Sequence, residues 1–99
     1  MSAPVRRTVK VELLGGLHLR PASVIARLVA QSPCTVRILN GEKTANAGDV
    51  FDLMGLNAGH GTELSLEADG EGSAELLEAI IPYFQVEDTG GEESETDPG

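Results

Sequence analysis

Apolar residues recur in this chain with two different periods, and the order in which the periods alternate restricts it to a sheet covered by helices. Val9, Val11 and Leu13 alternate with Lys10 and Glu12, the period-two pattern of a strand with one face on a core, and this predicts a first strand from about Thr8 to Leu14. After Gly15-Gly16, Val24, Ile25, Leu28 and Val29 recur at helical spacing, predicting a helix from Leu19 to Gln31 that Ser32-Pro33 stops. Val36 and Ile38 return to period two, and Asn40-Gly41 signals a hairpin leading into a short strand near Glu42 to Asn46. Val50, Phe51, Leu53 and Met54 suit one or two helical turns capped by Asp49. Past the turn Asn57-Ala58-Gly59-His60-Gly61, Leu64, Leu66 and Ala68 alternate as a further strand. Leu76, Leu77, Ile80, Ile81 and Phe84 then form one helical stripe, with Ser73 as its cap and Pro82 shortening its last turn. The order β-α-β-β-α-β-α, with one apolar face per strand, packs most simply as two layers: an α+β fold with a sheet covered on one side.

Ninety-nine residues without a repeat leave room for one core. The formal net charge is −9, but six of the sixteen acidic residues follow Gln85; up to that point seven basic residues face ten acidic ones, a balance of −3. A domain over residues 1–85 and a disordered acidic tail over 86–99 are therefore expected. The basic residues do not cluster and only three aromatics exist, which argues against nucleic-acid binding. No apolar run reaches the roughly 18 residues that would span a bilayer, and Met1 to Arg7 lacks a signal-like apolar stretch, so a cytoplasmic protein without membrane insertion is expected. The single Cys34 cannot form an internal disulfide and reads as a small buried apolar residue. Two histidines and one cysteine lie in unrelated segments, so neither metal nor bound cofactor is implied.

The chemistry concentrates in Gly16-Leu17-His18-Leu19-Arg20-Pro21. The segment places an imidazole and a guanidinium at the mouth of the first helix, where a glycine permits close backbone approach and a proline suits the first turn. Amides at a helix start lack intrahelical acceptors and favour an anion in front of them, so the backbone of Leu19 and Arg20 is a candidate phosphate cradle. Imidazole is the side chain that is substantially neutral and nucleophilic near pH 7, and a guanidinium offers paired donors to phosphate oxygens. His18 is thus the candidate phosphoryl acceptor and Arg20 its electrostatic support. His60, in a glycine-flanked turn, reads as an exposed loop residue.

Over about residues 8 to 84 the chain resembles the histidine-containing phosphocarrier family, HPr, of the phosphoenolpyruvate-dependent sugar phosphotransferase system. The resemblance rests on Gly16-Leu17-His18-Leu19-Arg20-Pro21-Ala22-Ser23, the Asn40-Gly41 hairpin, the segment Asp49 to Leu56 and Gly61-Thr62-Glu63-Leu64. It implies an open-faced β-sandwich: a four-stranded antiparallel sheet with three helices on one face. It also implies that His18 takes a phosphoryl group on a ring nitrogen from Enzyme I and passes it to a sugar-specific enzyme II component, such as a IIA-like acceptor. Such a protein is a stoichiometric carrier rather than an enzyme, and a monomer. Val50, Phe51 and Met54 match the family's apolar docking patch, with Arg27 beside it, although each of the three could equally be core of a short helix.

Three positions depart from the family's pattern. Gly15 stands where a small polar residue usually lies near the ring. Asp49 stands where many relatives carry a serine phosphorylated by a regulatory kinase, and its carboxylate is either a plain helix cap or a permanent, smaller imitation of that phosphate. Asp49 and Asp52 also offset Arg20 and Arg27, where several relatives surround the site with lysines. Two other readings stand beside the carrier: a regulatory module that signals by its phosphorylation state, and a plain α+β interaction domain without phosphate chemistry.

Overall fold

The computed structural model describes residues 3–86. Strands β1 (Val5–Lys10), β2 (Thr35–Asn40), β3 (Lys43–Asn46) and β4 (Glu63–Asp69) form one antiparallel sheet in the spatial order β1-β4-β2-β3. Helices α1 (Leu19–Ala30), α2 (Val50–Met54) and α3 (Ser73–Ile80), followed by a 3₁₀ turn (Ile81–Phe84), complete the element order. The fold is the open-faced sandwich that the periodicity and the resemblance imply. The acidic tail expected over 86–99 lies, beyond Val86, outside the described residues.

One row of side chains per strand makes the core. Val9 pairs with Leu64, Ile38 with Leu66 and Ala45, and Val36 with Ala68, and all of them are buried under the helices. Ile25 and Val29 of α1, Leu53 of α2 and Leu77 and Ile80 of α3 close over this row, with Phe84 beside them. Fully burying side chains of this size stabilises by about 1.5–3 kcal/mol each, so this row dominates the sheet's stability. The opposite face is polar. There Glu67 bridges two neighbouring strands, with one carboxylate oxygen 2.8 Å from Nη2 of Arg37 and the other 3.5 Å from Nε of Arg6. Ion pairs on an exposed face contribute about 1 kcal/mol at most, so they tune this surface rather than hold the sheet.

Several boundaries differ from the sequence reading, each for a local reason. Strand β1 starts at Val5 and ends at Lys10 rather than running from Thr8 to Leu14. Val11 and Leu13 keep their burial, but the ladder to β4 ends at the pair Lys10 and Glu63, and the backbone then changes partners. Val11 exchanges bonds with the loop before β4 (N to Thr62 O, 2.8 Å; O from Gly61 N, 2.7 Å), and the Glu12 amide donates to Phe84 O at 2.9 Å. The hairpin forms, but its turn is Gly41-Glu42, because Asn40 still pairs with Lys43 and sends its side-chain amide to Leu56 O at 2.9 Å. The buried stripe of α1 centres on Ala22, Ile25, Ala26 and Val29, leaving Val24 and Leu28 half-buried at its flanks.

Ser73 does not cap α3. Gly72 is the N-cap, with φ +82°, and Ser73, inside the first turn, donates its hydroxyl back to Gly70 O at 2.6 Å. Cys34 is half-buried rather than buried, and its thiol donates to Glu71 O at 3.0 Å. Pro82 ends α3 as expected, because it lacks the amide that would continue the helix.

Asp49 caps α2 as the sequence predicts, its Oδ1 accepting from the amides of Phe51 (2.9 Å) and Asp52 (3.2 Å). The Asp52 carboxylate in turn accepts from the Asn46 amide at 3.0 Å and ties α2 to the end of β3. With only five residues, α2 depends on such caps more than a long helix would. Asp49→Ala is expected to lower unfolding stability by about 1 kcal/mol, and Asp49→Asn by much less, as read from urea denaturation midpoints.

Candidate functional site

His18 is the N-cap of α1. Its backbone is extended (φ −121°, ψ −175°), its carbonyl accepts from the Ala22 amide at 3.0 Å, and its ring makes no capping bond to the helix. The imidazole is half-buried, reachable from solvent yet held by its surroundings. Leu19 and Arg20 are the first two helical residues, and their amides point out of the helix end. Pro21, the third, has no amide to offer and buries its ring. The helix therefore presents two backbone donors beside His18, those of Leu19 and Arg20, with the positive end of its dipole behind them.

Two loops locked together fix this arrangement. Gly16 has φ +75°, a region costly for other residues, and a Cβ built on it would lie 2.8 Å from Ala58 O and 2.9 Å from Gly59 Cα. The next amide, that of Leu17, donates to Ala58 O at 2.8 Å, and the Leu17 side chain is buried. The partner loop is itself tightly wound: Asn57 has φ +51°, and the Thr62 amide donates to Gly59 O at 3.1 Å. Sequence reading marked residues 57–61 only as a turn, and its role as the anvil under the histidine loop depends on a contact more than forty residues away along the chain. The Gly-rich composition of Asn57 to Gly61 was the one available signal. His60 is exposed in this loop, as expected.

At Gly15 a Cβ would stand 4.0 Å from Cδ2 of His18, an ordinary contact distance. A side chain would fit here beside the ring, so the glycine leaves that edge of the imidazole without a polar neighbour from position 15. Arg20 is exposed in the first turn of α1, whereas Arg27 lies in the last, about 10 Å further along the axis at 1.5 Å per residue. Asp49 and Asp52 are exposed at the start of α2, which packs against α1. Among the expected docking residues, Val50 and Met54 are half-buried against the core and only Phe51 stands out, 80% exposed. Two exposed leucines that the sequence reading did not single out also flank the histidine: Leu19 (58% exposed), next to it in sequence, and Leu14 (81%), in the turn before it. Among the described residues no three His, Cys, Asp or Glu side chains gather as a metal site, and no helix is long and apolar enough to cross a membrane.

The family model described as the PTS HPr component phosphorylation site matches residues 5–85. The chain belongs to the HPr family. It is 35% identical to the HPr-like protein Crh of Bacillus subtilis over 83 residues, covering 84% of this chain and 98% of that one. It is 33% identical to the phosphocarrier protein NPr of Klebsiella oxytoca, covering 83% and 92%. The crystal structure of a phosphocarrier protein HPr from Bacillus anthracis superposes with a TM-score of 0.78 at 31% identity, over 85% of this chain and all of that one. This chain is thus an HPr-family phosphocarrier, whose helices lie on one face of the sheet as in its relatives.

In this HPr fold the loop contact at Gly16 is the least tolerant element of the site. Gly16→Ala should cost more than about 2 kcal/mol, because left-handed strain of about 1–3 kcal/mol adds to a backbone clash that no rotamer relieves. Gly15→Ala should cost under about 1 kcal/mol, since its Cβ meets only an ordinary contact. Thermal and urea unfolding of the two variants give the comparison.

Proposed function

We propose that His18 accepts a phosphoryl group on a ring nitrogen from an Enzyme I-type donor charged by phosphoenolpyruvate, and passes it to an enzyme II component of a sugar phosphotransferase system. The observation that carries this reading is the placement of an accessible imidazole at the N-cap of α1, beside the amides of Leu19 and Arg20. The ring nitrogen's lone pair forms the bond to phosphorus while the bond from phosphorus to the donor breaks. The three oxygens carry their charge toward the helix end and the Arg20 guanidinium. Each helix-end contribution is about 0.3–1 kcal/mol, up to about 2 when partly buried. Support of that size suits a carrier that must release its cargo, in a protein consumed and regenerated stoichiometrically and resident in the cytoplasm as a monomer.

A second reading, in which phosphorylation state is itself the signal, is favoured by Asp49. Its capping carboxylate holds a fixed negative charge at the start of α2, where many relatives carry a phosphorylatable serine. Two of the similar proteins bear names other than HPr itself, Crh and NPr.

Incubation with phosphoenolpyruvate and an Enzyme I should add one acid-labile, alkali-stable phosphoryl group to the wild-type protein and none to His18→Ala. Arg20→Lys should slow the transfer by about tenfold, because an ammonium keeps the charge but loses the planar pair of donors. Unchanged labelling of His18→Ala rejects the carrier. Onward transfer to an enzyme II component separates the transport reading from the signalling one, which predicts a phosphoprotein that no such acceptor discharges. Because Asp49 and Asp52 offset Arg20 and Arg27, the rate of phosphorylation should fall less steeply with added salt than that of a lysine-rich relative.

A further inference from the structure

Leu14 sits at the tip of a rigid turn. The Gly16 amide closes the turn on Leu13 O at 2.9 Å, Leu13 is buried beneath it, and the bond from Glu12 to Phe84 O at 2.9 Å holds its base. Turn tips favour Asp, Asn, Ser and Gly, yet this one carries a leucine that is 81% exposed. A residue that breaks the local rule on a rigid frame needs a compensating use. The tip also abuts the reacting ring, since the Cβ position of Gly15 lies 4.0 Å from Cδ2 of His18.

The large exposed apolar side chains among the described residues are Leu14, Leu19, Phe51 and Val86. Three of these four belong to elements around the imidazole: Leu14 in the turn before it, Leu19 directly after it and Phe51 on α2, which packs beside α1. The charges nearby nearly cancel, with Arg20 and Arg27 set against Asp49 and Asp52. A partner that must bring its own phosphorylated group into line with His18 is therefore drawn less by long-range attraction than by burying apolar area.

We infer that Leu14 is an apolar docking anchor for the phosphoryl-donor protein, extending the contact surface of Leu19 and Phe51 to the opposite flank of His18. The inference rests on the carrier reading given above and assigns that site's donor a surface with an apolar patch matching the turn tip. Leu14 would act in association and not in the chemical step, because it brings no polar group near the ring.

The test is to titrate the donor with unphosphorylated wild-type protein, Leu14→Asn and Leu14→Met, and to measure steady-state phosphorylation of each. Leu14→Asn is expected to raise Kd and KM together by about five- to tenfold while kcat stays within about twofold, and Leu14→Met to stay near wild type. As Leu14 is exposed, both variants should keep the wild-type unfolding midpoint. Unchanged Kd and KM in Leu14→Asn overturn the inference. So does a fall in kcat alone, which would make the turn a positioning device for the ring. A wild-type dimer that Leu14→Asn dissociates would also overturn it, by assigning the surface to a second copy of this chain. Should the wild type bind the donor through Leu14 yet gain no phosphoryl group, the docking surface stands and the carrier reading falls.

Discussion

The site depends on one backbone contact, the seating of Gly16 on the carbonyl of Ala58 and the Cα of Gly59. It joins the segment between β1 and α1 to the segment between α2 and β4, and the adjacent Leu17 amide bonds the same Ala58 carbonyl at 2.8 Å. Because the two loops meet without a side chain between them, little slack remains at the start of α1. His18 inherits its extended backbone from this constraint, and the helix begins immediately afterwards. The sheet and its buried row hold the two loops within reach of each other, so the stability of the core is converted into the position of one imidazole.

What that position offers is modest by the standards of catalysis. Two amides, a helix end and an exposed guanidinium supply a few kcal/mol at most, without deep burial or a metal in the argument. This scale fits a group that must be gained and lost with similar ease. It also places the burden of selectivity on the surrounding surface. The balance of Arg20 and Arg27 against Asp49 and Asp52, with Leu14, Leu19 and Phe51 exposed, makes that surface apolar and nearly neutral rather than basic.

Much of this was legible in the sequence. The alternating and helical periods located every strand and helix, and the order of the periods implied a sheet covered on one side. Asp49 was recognisable as a cap, and Pro82 as the end of α3, because both act through nearest neighbours along the chain. His18, Leu19 and Arg20 stood out because their residue types suit phosphate and their neighbours mark a helix start. The misses share a different cause. Periodicity reports burial, and Val11 and Leu13 stay buried after the ladder has ended, so β1 seemed to end too late. Ser73 has the chemistry of a cap, but Gly72 takes that place in a left-handed conformation and the serine turns back to Gly70. Leu14 belonged to the same alternating run and gave no hint of facing solvent, and the partner of Gly16 lies too far along the sequence for any local pattern to reveal it.

The central claim is that a phosphoryl group on His18 is held by the first amides of α1. Proton and nitrogen shifts of the backbone amides, recorded before and after phosphorylation, test it most directly. The account predicts that the amide protons of Leu19 and Arg20 move downfield by more than any others in the chain, as donors to a dianion do. Largest shifts around His60, or amides of Leu19 and Arg20 that stay where they were, would contradict it.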